Sequence, residues 1–137
     1  MQNPPPVQTA AKSSTGLDEN IAALLSYLLG GLGGLIFFLI EKSSRLVKFH
    51  AMQSLLLNIV LAVVSIALWI IWAVAAIITS QISGILSTLV SLVLGLVILL
   101  FFVGIVVGWV FCLIKAYGSQ FYKLPVIGNF AEKFSAS

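Results

Sequence analysis

Charged residues are scarce in this sequence. Of its 137 residues, 7 are Lys or Arg and 4 are Asp or Glu, whereas 61% are hydrophobic, and the mean hydropathy is +1.17. A soluble domain of this size leaves about a third of its unfolded-chain surface exposed to water, and so few charges cannot cover it. The composition therefore excludes a water-soluble fold and indicates an integral membrane protein.

The basic residues form no stripe that would bind nucleic acid. The formal net charge is +3, but the lysines and the arginine stand at the edges of apolar runs and form no patch interleaved with aromatic residues. That placement orients helices in a bilayer and attracts anionic lipid heads. Membrane lipids are thus the expected partner, and nucleic acid is not.

Residues that carry chemistry are nearly absent. Cys112 is the only cysteine and His50 the only histidine, so no intrachain disulfide can form and His50 lacks a second metal ligand at suitable spacing. Glu41 stands at the edge of an apolar run, and no Ser-His-Asp set or carboxylate pair falls within the runs. We predict a protein without catalytic residues, cofactor or metal site.

Three long apolar runs predict the fold. At a rise of about 1.5 Å per residue, about 20 residues cross a hydrocarbon core of about 30 Å. The runs cover about residues 21–40, 51–79 and 86–116. The sequence therefore predicts an all-α integral membrane protein with three transmembrane helices, a basic cytoplasmic hairpin and a helical membrane domain over 15–134. Residues 1–14, with three prolines, are expected to form a disordered tail, and 117–137 an interfacial C-terminal segment.

The positions of the basic residues predict the orientation. Four spans do not fit, because neither later run holds two stretches of about 20 apolar residues with a breaker between them. With three spans, only Lys12 lies on one side, and the other basic residues share the opposite side: Lys42, Arg45, Lys48, Lys115, Lys123 and Lys133. Since basic loops stay inside, we expect an inner-membrane protein with its N-terminus outside and its C-terminus in the cytoplasm.

Two pairs of glycines have the spacing that lets membrane helices approach closely. Gly30 and Gly34 lie in the first run, and Gly104 and Gly108 lie in the third. GxxxG spacing favours close backbone contact, which predicts packing of the first helix on the third. A homodimer face, or a hinge formed by the glycines of the first run, is the alternative.

One face of the second helix is polar. Its residues recur at three, four or seven positions: His50, Gln53, Ser54, Asn58 and Ser65. A face this polar should point away from lipid. Hydrogen bonds between helices explain it, and the alternative is a polar lining at the cytoplasmic mouth of a pore or ligand cleft.

Several short motifs read together as a known pattern. They are Thr15-Gly16-Leu17, Ile40-Glu41-Lys42, the stretch from Lys48 to Ser54 (KFHAMQS) and the stretch from Lys123 to Gly128 (KLPVIG). Over about residues 15–134 the sequence resembles the small prokaryotic membrane proteins grouped with the twenty-kilodalton subunit of the chloroplast inner-envelope import translocon. The resemblance implies an all-helical inner-membrane protein, and its plant relatives form part of a protein-conducting complex.

Two functions are consistent with these observations. The first is a non-enzymatic accessory or structural subunit of a translocation or permeation assembly, as a homo-oligomer or within a larger membrane-protein complex. The second is a lipid-organising or stress-related membrane protein whose residues Lys42, Arg45 and Lys48 contact anionic lipid heads.

Overall fold

The protein is all-helical, as predicted. The structure, a computed structural model, describes residues 11–136; most of the predicted disordered tail lies outside them. Five helices follow one another: α1 (Glu19–Leu28), α2 (Gly30–Ile40), α3 (Arg45–Ser80), α4 (Gly84–Tyr117) and α5 (Ile127–Ser135). Two of them, α3 and α4, are long and apolar enough to cross a membrane.

Helices α3 and α4 form a long antiparallel hairpin. Their 36 and 34 residues correspond to about 54 Å and 51 Å of helix, because no proline interrupts either run. A serine caps the N-terminus of each helix. Ser44 accepts a hydrogen bond from the Val47 amide at 3.2 Å, and Ser83 caps α4. The second and third apolar runs are therefore confirmed as helices, each a few residues longer than predicted.

The first apolar run is not a single helix, contrary to the prediction. It divides into α1 and α2 at Leu29, where Gly30 adopts a φ of +67°. Only glycine enters that region without steric cost, so the glycine-rich stretch permits a turn that hydropathy alone does not reveal. Helices of 10 and 11 residues span only about 15 to 17 Å. Neither can cross a hydrocarbon core alone.

Helices α1 and α2 fold back on each other as a short hairpin. Glu19, at the start of α1, accepts a hydrogen bond from Ser44 at 2.7 Å, so α1 starts beside the loop that follows the end of α2. Farther along, Tyr27 of α1 reaches His50, which shows that α1 runs parallel to α3. At the tip of this short hairpin, Gly31 lies against Asn58.

Two regions of the molecule follow from this arrangement. The head comprises residues 11–58 and 105–136, which include α1, α2, α5 and the adjoining ends of α3 and α4. The stem comprises residues 59–104, where α3 and α4 pack only on each other. All seven Lys and Arg and all four Asp and Glu belong to the head, and the stem has none.

Both ends of the described chain lie in the head. The Asn20 side chain donates to the Tyr117 carbonyl at 3.2 Å, which places the start of α1 beside the end of α4. Residues Ser13 and Ser14, which we expected to be disordered, donate hydrogen bonds to Glu41. The expectation of an N-terminus and a C-terminus on opposite sides of the membrane required a third span, which the structure does not confirm.

Helix α5 packs on the outside of the head. Ala131 is buried against Phe49 and Met52 of α3. Phe130 and Phe134 face outward and are half exposed, with their rings stacked 6.3 Å apart. An amphipathic helix of this kind matches the interfacial segment that the sequence predicts, and its membrane placement remains a prediction.

Candidate functional site: the polar network and basic groove of the head

Three side chains form the centre of the head. His50 donates from Nε2 to the Gln120 carbonyl at 2.7 Å. Since a carbonyl can only accept, Nδ1 of His50 is the acceptor for the Tyr27 hydroxyl at 2.9 Å. Gln53 in turn donates from Nε2 to the Tyr27 oxygen at 2.8 Å. Each of the three side chains is at most 1% exposed.

The same network fixes the segment between α4 and α5. Gln53 donates from Nε2 to the Tyr122 carbonyl at 2.9 Å, and its Oε1 accepts from the Leu124 amide at 3.0 Å. This segment has no regular structure that would pair its backbone groups. Side chains of α3 therefore supply partners that the backbone needs in a water-poor environment.

The hydrogen-bonding groups of the polar face thus find their partners within the protein. Every buried side-chain nitrogen and oxygen among residues 11–136 has a hydrogen-bond partner. Of the two interpretations of this face, the geometry matches hydrogen bonds between helices. His50, Gln53 and Ser54 are fully buried, so they line no open cleft.

The other polar residues of α3 lie progressively farther from this centre. Ser54 donates to the Gly30 carbonyl at 3.4 Å and thereby contacts the tip of the short hairpin. Asn58 is half-buried and donates to the Ser54 carbonyl of its own helix at 2.8 Å. Ser65 lies two turns beyond Asn58, in the stem, and belongs to no part of the network. The structure therefore brings two of the five predicted residues, His50 and Gln53, into the network and leaves the other three at its edge or outside.

The glycines act differently from the prediction. A Cβ on Gly34 would lie 2.7 Å from the Ala51 carbonyl oxygen and 2.8 Å from the Leu55 nitrogen, so this glycine packs on α3. Gly104 and Gly108 have no atom within 4 Å of an added Cβ. The predicted packing of the first helix on the third through these glycines is absent.

Contact between α1 and α4 uses other small residues. Ala23 and Tyr27 pack against Cys112 and Ala116. Trp109 adds a hydrogen bond from its indole to the Tyr27 carbonyl at 3.2 Å. Alanine and cysteine thus take the role that the GxxxG spacing assigned to glycine.

A second polar centre surrounds Glu41, a residue with no role predicted from the sequence. Glu41 is 1% exposed. The amides of Ser14, Ser43 and Ser44 donate to it at 2.8 to 3.0 Å, and the hydroxyls of Ser13, Ser14 and Ser43 donate as well. Glu41 therefore joins the N-terminal segment to the loop between α2 and α3. An acid placed directly after an apolar run and followed by two serines is the signal that could have identified it.

Hydrogen bonds set the charge state of Glu41. Burial alone raises the pKa of this carboxyl, but the donors from Ser13, Ser44 and Ser14 outweigh that effect and hold the pKa well below its usual range. No salt bridge contributes, because the two ion pairs among residues 11–136 are Lys12 with Asp18 and Lys123 with Glu132. Glu41 is a buried anion neutralised by dipoles.

The basic residues of the loop after Glu41 line a groove. It has a volume of about 410 Å³ and lies at the start of α3 beside the end of α5. Its lining consists of Lys42, Ser43, Ser44, Arg45, Lys48, Ser135 and Ala136. Neither of the two ion pairs involves Lys42, Arg45 or Lys48, and Lys48 holds its ammonium 5.7 Å from the Phe38 ring centroid. Three cationic side chains thus face a groove at a helix N-terminus.

Comparison with known proteins identifies the family. The model of the magnetosome magnetite crystal formation protein family, MamF/MmsF, matches residues 17–131. The chain belongs to the MamF/MmsF family. This match covers α1 to α4 and part of α5, so most of the head and the whole stem lie within the matched region.

Curated relatives of this MamF/MmsF chain are archaeal membrane proteins. A UPF0132 membrane protein of Methanocaldococcus jannaschii is 39% identical over 124 residues, which are 90% of this chain and 94% of that protein. A UPF0132 membrane protein of Archaeoglobus fulgidus is 38% identical over 117 residues, 85% of this chain and 95% of that protein. No solved structure matches with significance.

The resemblance to the chloroplast import subunit is therefore wrong. The stretches that suggested it lie within residues 17–131 or at their border, and this region matches the MamF/MmsF family and UPF0132 proteins. Short motifs such as KFHAMQS are explained by the head itself, because Phe49, His50, Met52 and Gln53 pack or bond there. A shared pattern of buried residues does not identify an import function.

Among residues 11–136, no group of three or more His, Cys, Asp or Glu is placed to hold a metal ion.

Proposed function

We propose that this protein is a non-enzymatic, lipid-organising membrane protein that gathers anionic lipids around its head. The observation that carries the proposal is the separation of charge: every Lys and Arg belongs to the head, and residues 49–114 contain no charged residue. Lys42, Arg45 and Lys48 line one groove and take part in neither of the two ion pairs among residues 11–136. Such a groove suits the phosphate of an anionic lipid head.

The topology that supports this function has two spans. Helices α3 and α4 cross the bilayer, and the short hairpin of α1 and α2 enters and leaves on one side. All basic residues then face a single side, which the positive-inside rule assigns to the cytoplasm. Both termini are cytoplasmic in this arrangement.

The location of the groove suits contact with lipid heads. Leu39 and Ile40, just before Glu41, are 66% and 45% exposed, so the apolar exterior of α2 continues up to the loop that forms the groove. Basic residues near an anionic surface contribute about 1 kcal/mol each. The N-terminus of α3 adds a favourable helix dipole for phosphate.

Charge-neutral substitutions test the groove. We expect the variant with Lys42→Gln, Arg45→Gln and Lys48→Gln, reconstituted in vesicles of mixed phosphatidylglycerol and phosphatidylcholine, to lose the enrichment of phosphatidylglycerol around the protein. The matched control carries Lys115→Gln, Lys123→Gln and Lys133→Gln, which removes equal charge from the head outside the groove. Equal enrichment in both variants would show that net charge, and not the groove, attracts the lipid, and enrichment unchanged from the parent protein in the groove variant would refute lipid gathering there.

A second candidate function is an accessory or structural subunit of a larger membrane assembly. The observation in its favour is that Gly104 and Gly108 face open space on α4, where a helix of another protein could approach closely. Crosslinking in native membranes followed by mass spectrometry tests it. Recovery of the protein with lipids alone, without a crosslinked partner at α4, would exclude this candidate.

A further inference from the structure

The head and the stem differ in cross-section. In the head, α1 and α2 pack beside α3 and α4, and α5 covers a further side of α3. In the stem, only α3 and α4 are present. Since each helix is about 10 to 12 Å wide, a level of the head crossed by four helices has about twice the cross-sectional area of a level of the stem crossed by two.

The outer surface of the short hairpin is suited to lipid. Its outward residues are large and apolar, with exposures from 39% to 73%: Leu28, Leu29, Leu32, Leu35, Ile36, Leu39 and Ile40. In water these side chains would cost about 25 cal/mol for each Å² of exposed apolar surface. Neighbouring residues of α4 at the same level, such as Val107 and Phe111, are half exposed as well.

Helix length places this broad part within one leaflet. The charge-free part of α4, Gly84 to Ile114, is about 46 Å long, and at an ordinary tilt of about 20° it covers about 43 Å. A bilayer with its head-group regions is about 40 to 45 Å thick. The short hairpin reaches only as far as Asn58, about 20 Å from the start of α3. The four-helix level therefore falls in one leaflet and the two-helix level in the other.

We propose that the protein is a membrane wedge that favours curved bilayers, with the head on the convex side. A body that occupies more area in one leaflet than in the other relieves packing stress when the wider leaflet is the outer, expanded one. The partner is the lipid bilayer itself. This inference rests on the proposed two-span topology, and it needs no anionic lipid.

Orientation in vesicles of different size tests the wedge. The full-length protein is reconstituted into small sonicated and large extruded vesicles of phosphatidylcholine alone, so that binding to anionic heads plays no part. Single cysteines at Ala11→Cys and Lys133→Cys report the two ends of the chain, and Gln81→Cys reports the far end of the stem; all three positions are exposed. The parent protein is the blank, because Cys112 is buried.

A membrane-impermeant maleimide then measures which end faces outward. We expect the ratio of outward to inward heads to be about threefold higher in small vesicles, equivalent to about 0.7 kcal/mol. The Gln81→Cys protein should show the opposite change. An equal ratio in small and large vesicles, or a preference for inward heads in small ones, would overturn the wedge.

The same labels distinguish a failure of the wedge proposal from a failure of the two-span topology on which it rests. If Ala11→Cys and Lys133→Cys label to different extents in the same vesicles, the two ends lie on opposite sides, and the two-span topology itself fails. If they agree but do not respond to vesicle size, only the wedge fails. A second measurement tests the direction of the preferred curvature. Protein with outward heads should be enriched in tubules pulled from giant vesicles, and depletion there would contradict the proposal.

Discussion

The head and the stem solve the same problem in different ways. Both must satisfy backbone groups in an environment with little water. The stem does so with two uninterrupted helices and needs no specific side chain, so most of its surface is exposed Leu, Ile and Val. The head contains a helix break, a tight turn and a segment without regular structure, and it depends on buried polar residues to complete their hydrogen bonds.

This contrast shows where sequence is constrained. In the stem, one apolar residue can replace another because lipid packs against either. In the head, Gln53 bonds the Tyr122 carbonyl and the Leu124 amide, and Glu41 accepts from the amides of Ser43 and Ser44. Substitutions that change the side chain by a similar amount should therefore have large effects on the free energy of unfolding in the head and small ones in the stem.

The largest effect is expected at Gln53. Gln53→Leu keeps the approximate volume but removes the Gln53 bonds to the Tyr122 carbonyl and the Leu124 amide, and it leaves the Tyr27 hydroxyl with His50 alone. Each buried unsatisfied group costs about 1 to 3 kcal/mol, so we expect a loss of about 3 kcal/mol in the free energy of unfolding. Titration with SDS in mixed micelles measures it. Ser65→Ala in the stem is the control, and a similar loss there would remove the distinction between head and stem.

A smaller effect is expected at Gly34. The added methyl group of Gly34→Ala would lie 2.7 Å from the Ala51 carbonyl and 2.8 Å from the Leu55 nitrogen. Because backbone atoms cannot rotate away, α2 must shift from α3, at a cost of about 2 kcal/mol. Gly95→Ala in the stem meets no atom within 4 Å and should be neutral or gain up to about 1 kcal/mol from helix propensity. Equal unfolding free energies for the two variants would show that α2 does not pack closely on α3.

These residues also show what could be predicted from the sequence. The long apolar runs of α3 and α4 and the interhelical role of His50 and Gln53 follow from hydropathy and helical periodicity. The break at Gly30 does not, because a charge-free run of 20 residues satisfies the length criterion for a span whether or not it turns. The positive φ of Gly30 and the contacts of Glu19 with Ser44 and of Gly34 with α3 distinguish a folded-back hairpin from a continuous helix.

The roles of Tyr27 and Glu41 could not be predicted from the sequence, for a related reason. Partners distant in sequence complete both centres: His50 and Gln53 for Tyr27, and Ser13 and Ser14, in addition to the neighbouring Ser43 and Ser44, for Glu41. A buried tyrosine hydroxyl normally has a partner, but the sequence alone does not say which residue supplies it. Tertiary contact therefore decides the composition of both polar centres.

The smallest effect is expected from pH, and it isolates Glu41. Because the pKa of this carboxyl is lower in the folded protein than its ordinary value of 4.5, its contribution to stability is complete above that value and declines as the pH falls below it. At pH 3.5, about one unit lower, the loss should be about 1.4 kcal/mol. Unfolding of the parent protein and of Glu41→Gln is compared between pH 6 and pH 3.5, so that the acids common to both cancel. The parent protein should lose more stability than Glu41→Gln over this interval. Equal losses in the two proteins would mean that the serine donors around Glu41 do not stabilise the carboxylate. Other contacts would then hold the loop between α2 and α3 to the N-terminal segment.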